Sequence, residues 1–432
     1  MLQVIRSAWP LLLGIILLMV GNGLQGSLMG IRGGIEQFST IELSVITSAY
    51  FVGFLFGSRT APGLIRRVGH VRVFAALGSF ISAVLILYPT ITEPWAWVLL
   101  RVLFGFSFSG VYVTAESWLN NSSTNENRGK ALSLYMIVQM VGIMVSQALL
   151  NVADPAGYVL FVIPSVLVSL SFAPILLSVT PTPEFDTTKA MNLRALYNTS
   201  PTGIVGMFLM GFAFSALFGM ASVYGTAAGM SVAEISIFVT AIFFGGLVLQ
   251  FPIGWMSDRM DRRKLILFAG VGGALGSLLG LAFGGSFEMI LVAGFILGGV
   301  SNPLYALIIA YTNDYLPRDD MAAASGALIF VNGLGAIAGP ILTGWLMGNL
   351  GPPGFWVFLA ANFTLFVAYV AYRMTQRVSL YEGEGDYDAV TYAPLTPSAT
   401  PIAVEAAQEF YADNAPPEQD IAASQEERVD RQ

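Results

Sequence analysis

Two ionisable side chains stand inside otherwise apolar sequence, and they bound the chemistry open to this chain. Arg101 precedes Glu116 by fifteen residues on one apolar run, and Glu116 is the only carboxylate well inside such a run. On a helix that separation is about 22 Å, so the two do not pair with each other. Arg101 lies about six residues into its run, roughly 9 Å below the outer end of that helix. Glu116 is expected to pair with a loop cation, Arg128 foremost, and to act as a gate element rather than a proton carrier. Around them lie neutral polar residues: Asn22, Gln25, Tyr112, Gln139, Gln147, Gln250, Asn302, Tyr305 and Asn332. Polar groups in apolar spans are costly, so each either ties two helices together or lines a solute cavity. Asn22 and Gln25 fall at the depth of Arg101 and are its expected neutral partners.

A different chemistry sits in Gly254-Trp-Met-Ser-Asp258-Arg259-Met-Asp261-Arg262-Arg263-Lys264, a dense charged turn between two apolar runs. Its counterpart is Pro62-Gly-Leu-Ile-Arg66-Arg67-Val-Gly69-His70-Val-Arg72. An Asp at a helix end accepts hydrogen bonds from Arg or from a neighbouring helix N-terminus, and such contacts can hold a gate that breaks when a bundle rocks. Asp258 and Arg259 are therefore expected to gate, with Arg66 and Arg67 at the equivalent turn. Arg262, Arg263 and Lys264 are expected only to enforce topology.

Other chemistries lack residues to carry them. The chain has no cysteine, which excludes disulfides, thiol nucleophiles and iron–sulfur ligation. Its single histidine, His70, lies in a basic turn and is expected to be solvated and structural rather than a metal ligand. No nucleophile–base pair, metal cluster or phosphate-binding glycine loop is visible, so an enzyme, a metal or cofactor site and ATP drive are not expected.

These residues need helices to position them. The 432 residues are 55% hydrophobic and 11% charged, against roughly 25% charged in soluble domains. Twelve apolar runs are long enough to span a bilayer: about 8–29, 42–61, 72–91, 95–118, 129–150, 157–179, 202–225, 234–256, 265–284, 287–312, 322–347 and 353–372. Inside lipid the backbone satisfies itself, so such runs become helices. The first has no small-residue cleavage site and is expected to be retained. Up to Arg377 the chain has eighteen Lys and Arg, and sixteen fall on one side of the spans. That side is expected to be cytoplasmic, with both termini on it.

The chain also repeats itself. Ser39-Thr-Ile-Glu42 to Gly53 aligns with Ser231-Val-Ala-Glu234 to Gly245 at an offset of 192. Arg66, Arg67 and Gly69 meet Asp258, Arg259 and Asp261 at the same offset. At offset 193, Gly105, Tyr112 and Asn120 meet Gly298, Tyr305 and Asn313. An even number of helices per copy makes this a parallel repeat. The expected organisation is a six-helix half over 1–179, a cytoplasmic linker over 180–200 and a second six-helix half over 201–373. Residues 374–432 carry twelve acidic residues against three arginines, a net −9, so the rest carries +2. With many Pro, Ala and Thr, that tail is expected to be a disordered, solvated cytoplasmic segment.

Gly254-x-x-x-Asp258-Arg259-x-x-Arg262-Arg263 resembles the loop motif between helices 2 and 3, and again 8 and 9, of major facilitator superfamily (MFS) transporters. The resemblance covers about residues 8–372. This chain departs from it at Asp261, where the family has Gly, and at Pro62 and Arg66, where the family has Gly and Asp. Arg67-Val-Gly-His-Val-Arg72 and Glu116-Ser-Trp-Leu119 are similar to the YcaD-type branch. Arg101-Val-Leu-Phe-Gly105 resembles the helix 4 motif whose Arg the family links to substrate or proton coupling. Tyr112-x-x-x-Glu116 with Arg128-Gly129 looks like the charge relay of sugar porters. The drug antiporters' Gly-Pro pair in helix 5 is replaced here by Ser146-Gln147, and Gly339-Pro340 lies in helix 11 instead.

The resemblance implies an all-α integral membrane protein of twelve transmembrane helices in two parallel six-helix repeats. It implies a secondary transporter moving a small organic solute by alternating access, with protons as a candidate coupling ion. Multidrug efflux is the alternative within the class, and a non-transporting sensor or transceptor using the tail is the alternative outside it. The expected partners are a small-molecule substrate and the lipid bilayer of a plasma membrane, the bacterial inner membrane in particular, around a monomer with no nucleic acid.

Overall fold

The computed structural model describes residues 2–122, 125–176 and 191–376, and beyond them Tyr392, Leu395, Thr400, residues 402–404 and Ala407; the side chains of 2–8, 120–129, 175–176 and 318–319 lie outside the description. The described chain is all helical. The first half is α1 (Leu2–Ile35), α2 (Thr40–Val68), α3 (His70–Leu87), α4 (Pro94–Ser122), α5 (Asn125–Leu149) and α6 (Val159–Leu176). A short α7 (Leu193–Thr199) leads into α8 (Pro201–Ala227), α9 (Val232–Ser257), α10 (Arg262–Ala282), α11 (Phe287–Asn313), α12 (Arg318–Leu350) and α13 (Pro353–Gln376). Eleven of these are long and apolar enough to cross a membrane, and α6 is a shorter apolar helix over the residues searched. With α7 set aside, twelve long helices remain in two parallel sets of six.

The turns at 69 and 258–261 mark one end of the bundle, called the basic end below. The turns at 36–39 and 228–231 mark the other, the capped end. There Ser39 and Glu42 form a capping box on α2, and Ser231 and Glu234 form the same box on α9. Each satisfies donors that a helix start leaves open. Arg32 at the end of α1 donates to the carbonyls of Pro155, Ala156 and Gly157 and pairs with Glu36 at 2.7 Å, fastening the α5–α6 turn to α1.

The repeat is written into the tightest crossings. A Cβ on Gly105 would collide with the carbonyl of Tyr50, and one on Gly298 with the carbonyl of Ile242. Tyr50 and Ile242 are themselves 192 apart, so α2–α4 and α9–α11 are one crossing used twice. Small residues let backbones approach where apolar burial supplies no drive between helices.

The halves converge at the capped end. Gly30 of α1 lies against Ser222 and Val223 of α8, and Gly34 against Thr226. Gly344 of α12 packs on Ser44 of α2, whose neighbour Thr40 donates to the Gly344 carbonyl at 3.4 Å. Ser236 of α9 donates to the carbonyl of Gln147 in α5 at 2.5 Å. All of these residues lie in the turns of their helices nearest the capped end.

At the basic end the carboxy-terminal residues enter the bundle. Tyr392, Leu395, Thr400, residues 402–404 and Ala407 are buried. A wholly solvated tail is thus not what the structure contains: these residues find apolar surface and polar partners between the halves. The linker also docks where it is described. Asn192 caps α7, Leu196 is buried, and the N–H of Met191 donates to the Ala323 carbonyl of α12 at 2.9 Å.

Candidate functional site: a central cavity and its basic-end closure

A cavity of about 1340 Å³, counting its open mouth, lies between the halves. Eight of the ten candidate residues line it: Asn22 and Gln25 from α1, Arg101 and Tyr112 from α4, Gln139 and Gln147 from α5, Asn302 from α11 and Asn332 from α12. Their helices approach from both halves, and the intervening wall is aromatic, including Phe51, Phe54, Phe214, Phe218 and Phe243. Gln147 and Ser27 close the side nearest the capped end, joined by a 2.7 Å hydrogen bond from Ser27 Oγ to Gln147 Oε1.

Arg101 is the charge in this wall. It is 6% exposed and donates to Gln25 Oε1 at 2.5 Å. Its guanidinium lies 5.3 Å from the ring centre of Tyr50 and 5.8 Å from that of Phe104. Aromatic faces stabilise a cation electrostatically, but they accept no strong hydrogen bond from its N–H groups. Arg101 Nε and Gln25 Nε2 have no hydrogen-bond partner among the described residues. No Asp or Glu lines the cavity. Tyr50 escaped the sequence reading because an aromatic in an apolar run reads as packing. The signal was its alignment with Ile242, which has no polar atom to offer.

The remaining two cavity candidates sit elsewhere. Tyr305 is fully buried and does not line the cavity. Gln250 Nε2 donates instead to the hydroxyl of Tyr392 at 2.8 Å. That contact lies at the basic end, with a carboxy-terminal residue. Tyr392 also places its ring over Gly254, where a Cβ would collide with it, and its N–H donates to Asp258 Oδ1 at 2.9 Å. On the other half, Glu116 accepts from the N–H of Thr400 at 3.1 Å, from the Thr400 hydroxyl and from the Tyr135 hydroxyl at 3.2 Å. Among the described residues Glu116 meets the tail and α5; its expected partner, Arg128, has a side chain outside the described residues.

The charged turn is wired differently from the sequence expectation. Arg259 lies 4.3 Å from the ring centre of Trp255 and donates to the Trp255 carbonyl at 3.1 Å. Arg262 pairs with Asp314 at the end of α11, lies 3.7 Å from Asp258, and donates to Ser257 Oγ at 3.0 Å. Arg263 pairs with Asp261 at 3.0 Å, and both Arg262 and Arg263 are buried. Arg262 thus fastens α10 to the end of α11, while Arg263 pairs with the N-cap of its own helix; each buried cation has a matched anion. Arg66 and Arg67 are exposed at the basic end. His70 is buried rather than solvated; its Nε2 lies 3.0 Å from Ser117 Oγ and its ring stacks on Trp118.

Known proteins supply the comparison for this arrangement. The family model described as Major Facilitator Superfamily matches residues 11–232 and again 203–397. The MFS-type transporter YcaD of Salmonella arizonae is 25% identical over 348 residues, covering 80% of this chain and 90% of that protein. YcaD of Escherichia coli is 26% identical over 361 residues, covering 82% and 93%. Among solved structures, the nucleoside transporter NupG superposes with a TM-score of 0.72 at 14% identity, covering 85% of this chain and 98% of that one. A bacterial homologue of the lysosomal transporter Spinster, solved inward-facing and unoccupied, gives 0.63 at 14% identity, covering 94% and 98%. At such identities the solved structures speak to the fold.

Proposed function

The chain belongs to the Major Facilitator Superfamily, among its YcaD-like members, and from that premise we propose that it is a secondary transporter that moves a small organic solute through the central cavity by alternating access. One observation carries the reading. Eight polar residues chosen for their cost in apolar spans come from both halves to a single cavity at the interface. Sites of this kind lie near the midplane between repeats, and rocking of one half against the other exposes them to each side in turn.

The charge pattern orients the molecule. With sixteen of the eighteen cations up to Arg377 on one side, the basic end faces the cytoplasm and both termini lie there. The capped-end contacts of Gly30, Ser44 and Ser236 then close the outer side. Arg101, Gln25 and Asn302 hold the solute. Glu116, Asp258 and Arg262 act at the cytoplasmic gate.

Purified protein in proteoliposomes gives the test. A solute that stabilises the protein against heat should exchange across the membrane in counterflow, and Arg101→Gln should reduce that exchange at least tenfold. A solute that binds and is never exchanged would remove transport and leave a sensor. An imposed pH gradient in the same vesicles reads the coupling ion: accumulation that depends on it assigns protons, and accumulation indifferent to it removes them. Multidrug efflux draws support from the aromatic wall, but a buried, unneutralised arginine repels the lipophilic cations such transporters commonly export. Competition by cationic dyes separates the two.

A further inference from the structure

We infer that the cavity takes an organic monoanion, a carboxylate with an aromatic or apolar body, whose head group docks between Arg101 and Gln25. This rests on the transport reading for the route but on the cavity alone for the chemistry. The wall holds one buried cation and no Asp or Glu. Gln25 accepts from one Arg101 nitrogen through its carbonyl oxygen, at 2.5 Å, which leaves its own amide nitrogen as a buried donor without a partner among the described residues. Two donors are left without partners, Arg101 Nε and Gln25 Nε2, on side chains that are 6% and 0% exposed. A buried charge and a buried donor are costly to leave unmatched. A carboxylate supplies one negative charge and two acceptor oxygens, which answers both in one group. A neutral amide would leave the charge uncompensated, and an ammonium would add to it. Beside the pair, Phe51, Phe54, Phe218 and Phe243 offer apolar faces for the remainder of the solute.

The experiment uses a matched series on the purified full chain: arene and short-chain carboxylates such as benzoate and phenylpropionate, their carboxamides, and the corresponding amines. Binding is read by calorimetry or thermal shift. Wild-type protein is expected to prefer the carboxylates at least tenfold. Arg101→Gln should abolish the preference, and Gln25→Glu should do the same by giving Arg101 a carboxylate of its own. The unliganded melting temperature of each variant reports whether it folds, and Gln25→Glu adds an ion pair rather than removing one, so it keeps the test alive if Arg101→Gln does not fold. Amides or amines binding as well as the carboxylates would overturn the assignment, as would no carboxylate binding, or Gln25→Glu retaining the preference. Carboxylates that bind with the predicted dependence but fail to exchange in vesicles would overturn transport and leave the anion site standing.

Discussion

Arg262 at the start of α10 pairs with Asp314 at the end of α11, and the two side chains are 3% and 4% exposed. At the offsets of 192 and 193 that relate the halves, the same places hold His70 and Asn121. His70 makes a neutral contact with Ser117 and stacks on Trp118 instead. The two basic ends are therefore fastened by different physics: one by a buried ion pair that also reaches Asp258, the other by a hydrogen bond and ring packing. The ion pair sits beside Asp258, the carboxylate that receives the N–H of Tyr392.

Removing one partner of that pair should cost more than removing the histidine. Arg262→Ala leaves Asp314 buried without its cation, a change worth about 3 kcal/mol or more. His70→Ala loses one hydrogen bond and ring contact, about 1–2 kcal/mol. Denaturation of purified protein in detergent should rank them in that order. Equal losses would mean that the Arg262–Asp314 pair is relieved by water.

Glycines of the duplicated crossing should be intolerant where their neighbours are not. Gly105→Ala and Gly298→Ala each push a methyl into a facing carbonyl, and overpacking of that kind costs about 1–3 kcal/mol. Gly63, also within a helix, has nothing within 4 Å of an added Cβ, so Gly63→Ala should be neutral or gain up to about 1 kcal/mol in helix propensity. Thermal stability of the three variants reads this, and a Gly298→Ala protein as stable as wild type would show that the α9–α11 approach has slack.

The capped-end closure should open when a side chain is forced into it. Gly30 faces the backbone of Ser222 and Val223, so Gly30→Val wedges α1 from α8. A penalty of 1.4 kcal/mol against the closed arrangement corresponds to about a tenfold population change. A Thr47→Cys reporter in the cavity wall should then react about tenfold faster with maleimide applied from the capped side. An unchanged rate would place the seal elsewhere, for instance at Gln147 and Ser236.

Much of this was legible in the sequence for a physical reason. A bilayer makes polar groups expensive, so Asn22, Gln25, Arg101 and Asn332 announce themselves, and the period of 192 shows the fold's internal symmetry. Where several cations crowd one turn, the sequence does not say which is buried; Arg262 and Arg259 look alike until α11 brings Asp314 to one of them. The acidic, proline-rich composition of the tail predicts solvation on average, and an average does not single out the few described residues that are buried, Tyr392 and Thr400 among them. Gln250 was misplaced for the same reason, since its partner lies 142 positions away.

The two capping boxes offer a check on the repeat that involves neither cavity nor gate. Ser39 and Ser231 each accept from the backbone N–H of a glutamate three residues on, at 3.2 Å in both, while Glu42 and Glu234 return the contact to the serine N–H at 2.7 and 2.8 Å. All four residues are at the rim, so the contacts compete with water, and losing a serine cap costs about 1 kcal/mol. Ser39→Ala and Ser231→Ala should therefore lower stability by similar small amounts, and the double variant by their sum, because the sites are far enough apart to act independently. The two helices differ in one respect: Thr40 beside the first box donates to Gly344 of α12, whereas the second box is followed by Val232 and Ala233. If Ser39→Ala instead costs clearly more than Ser231→Ala, the excess measures how far the first cap also holds the two halves together at the capped end, and it should vanish in a Thr40→Val background.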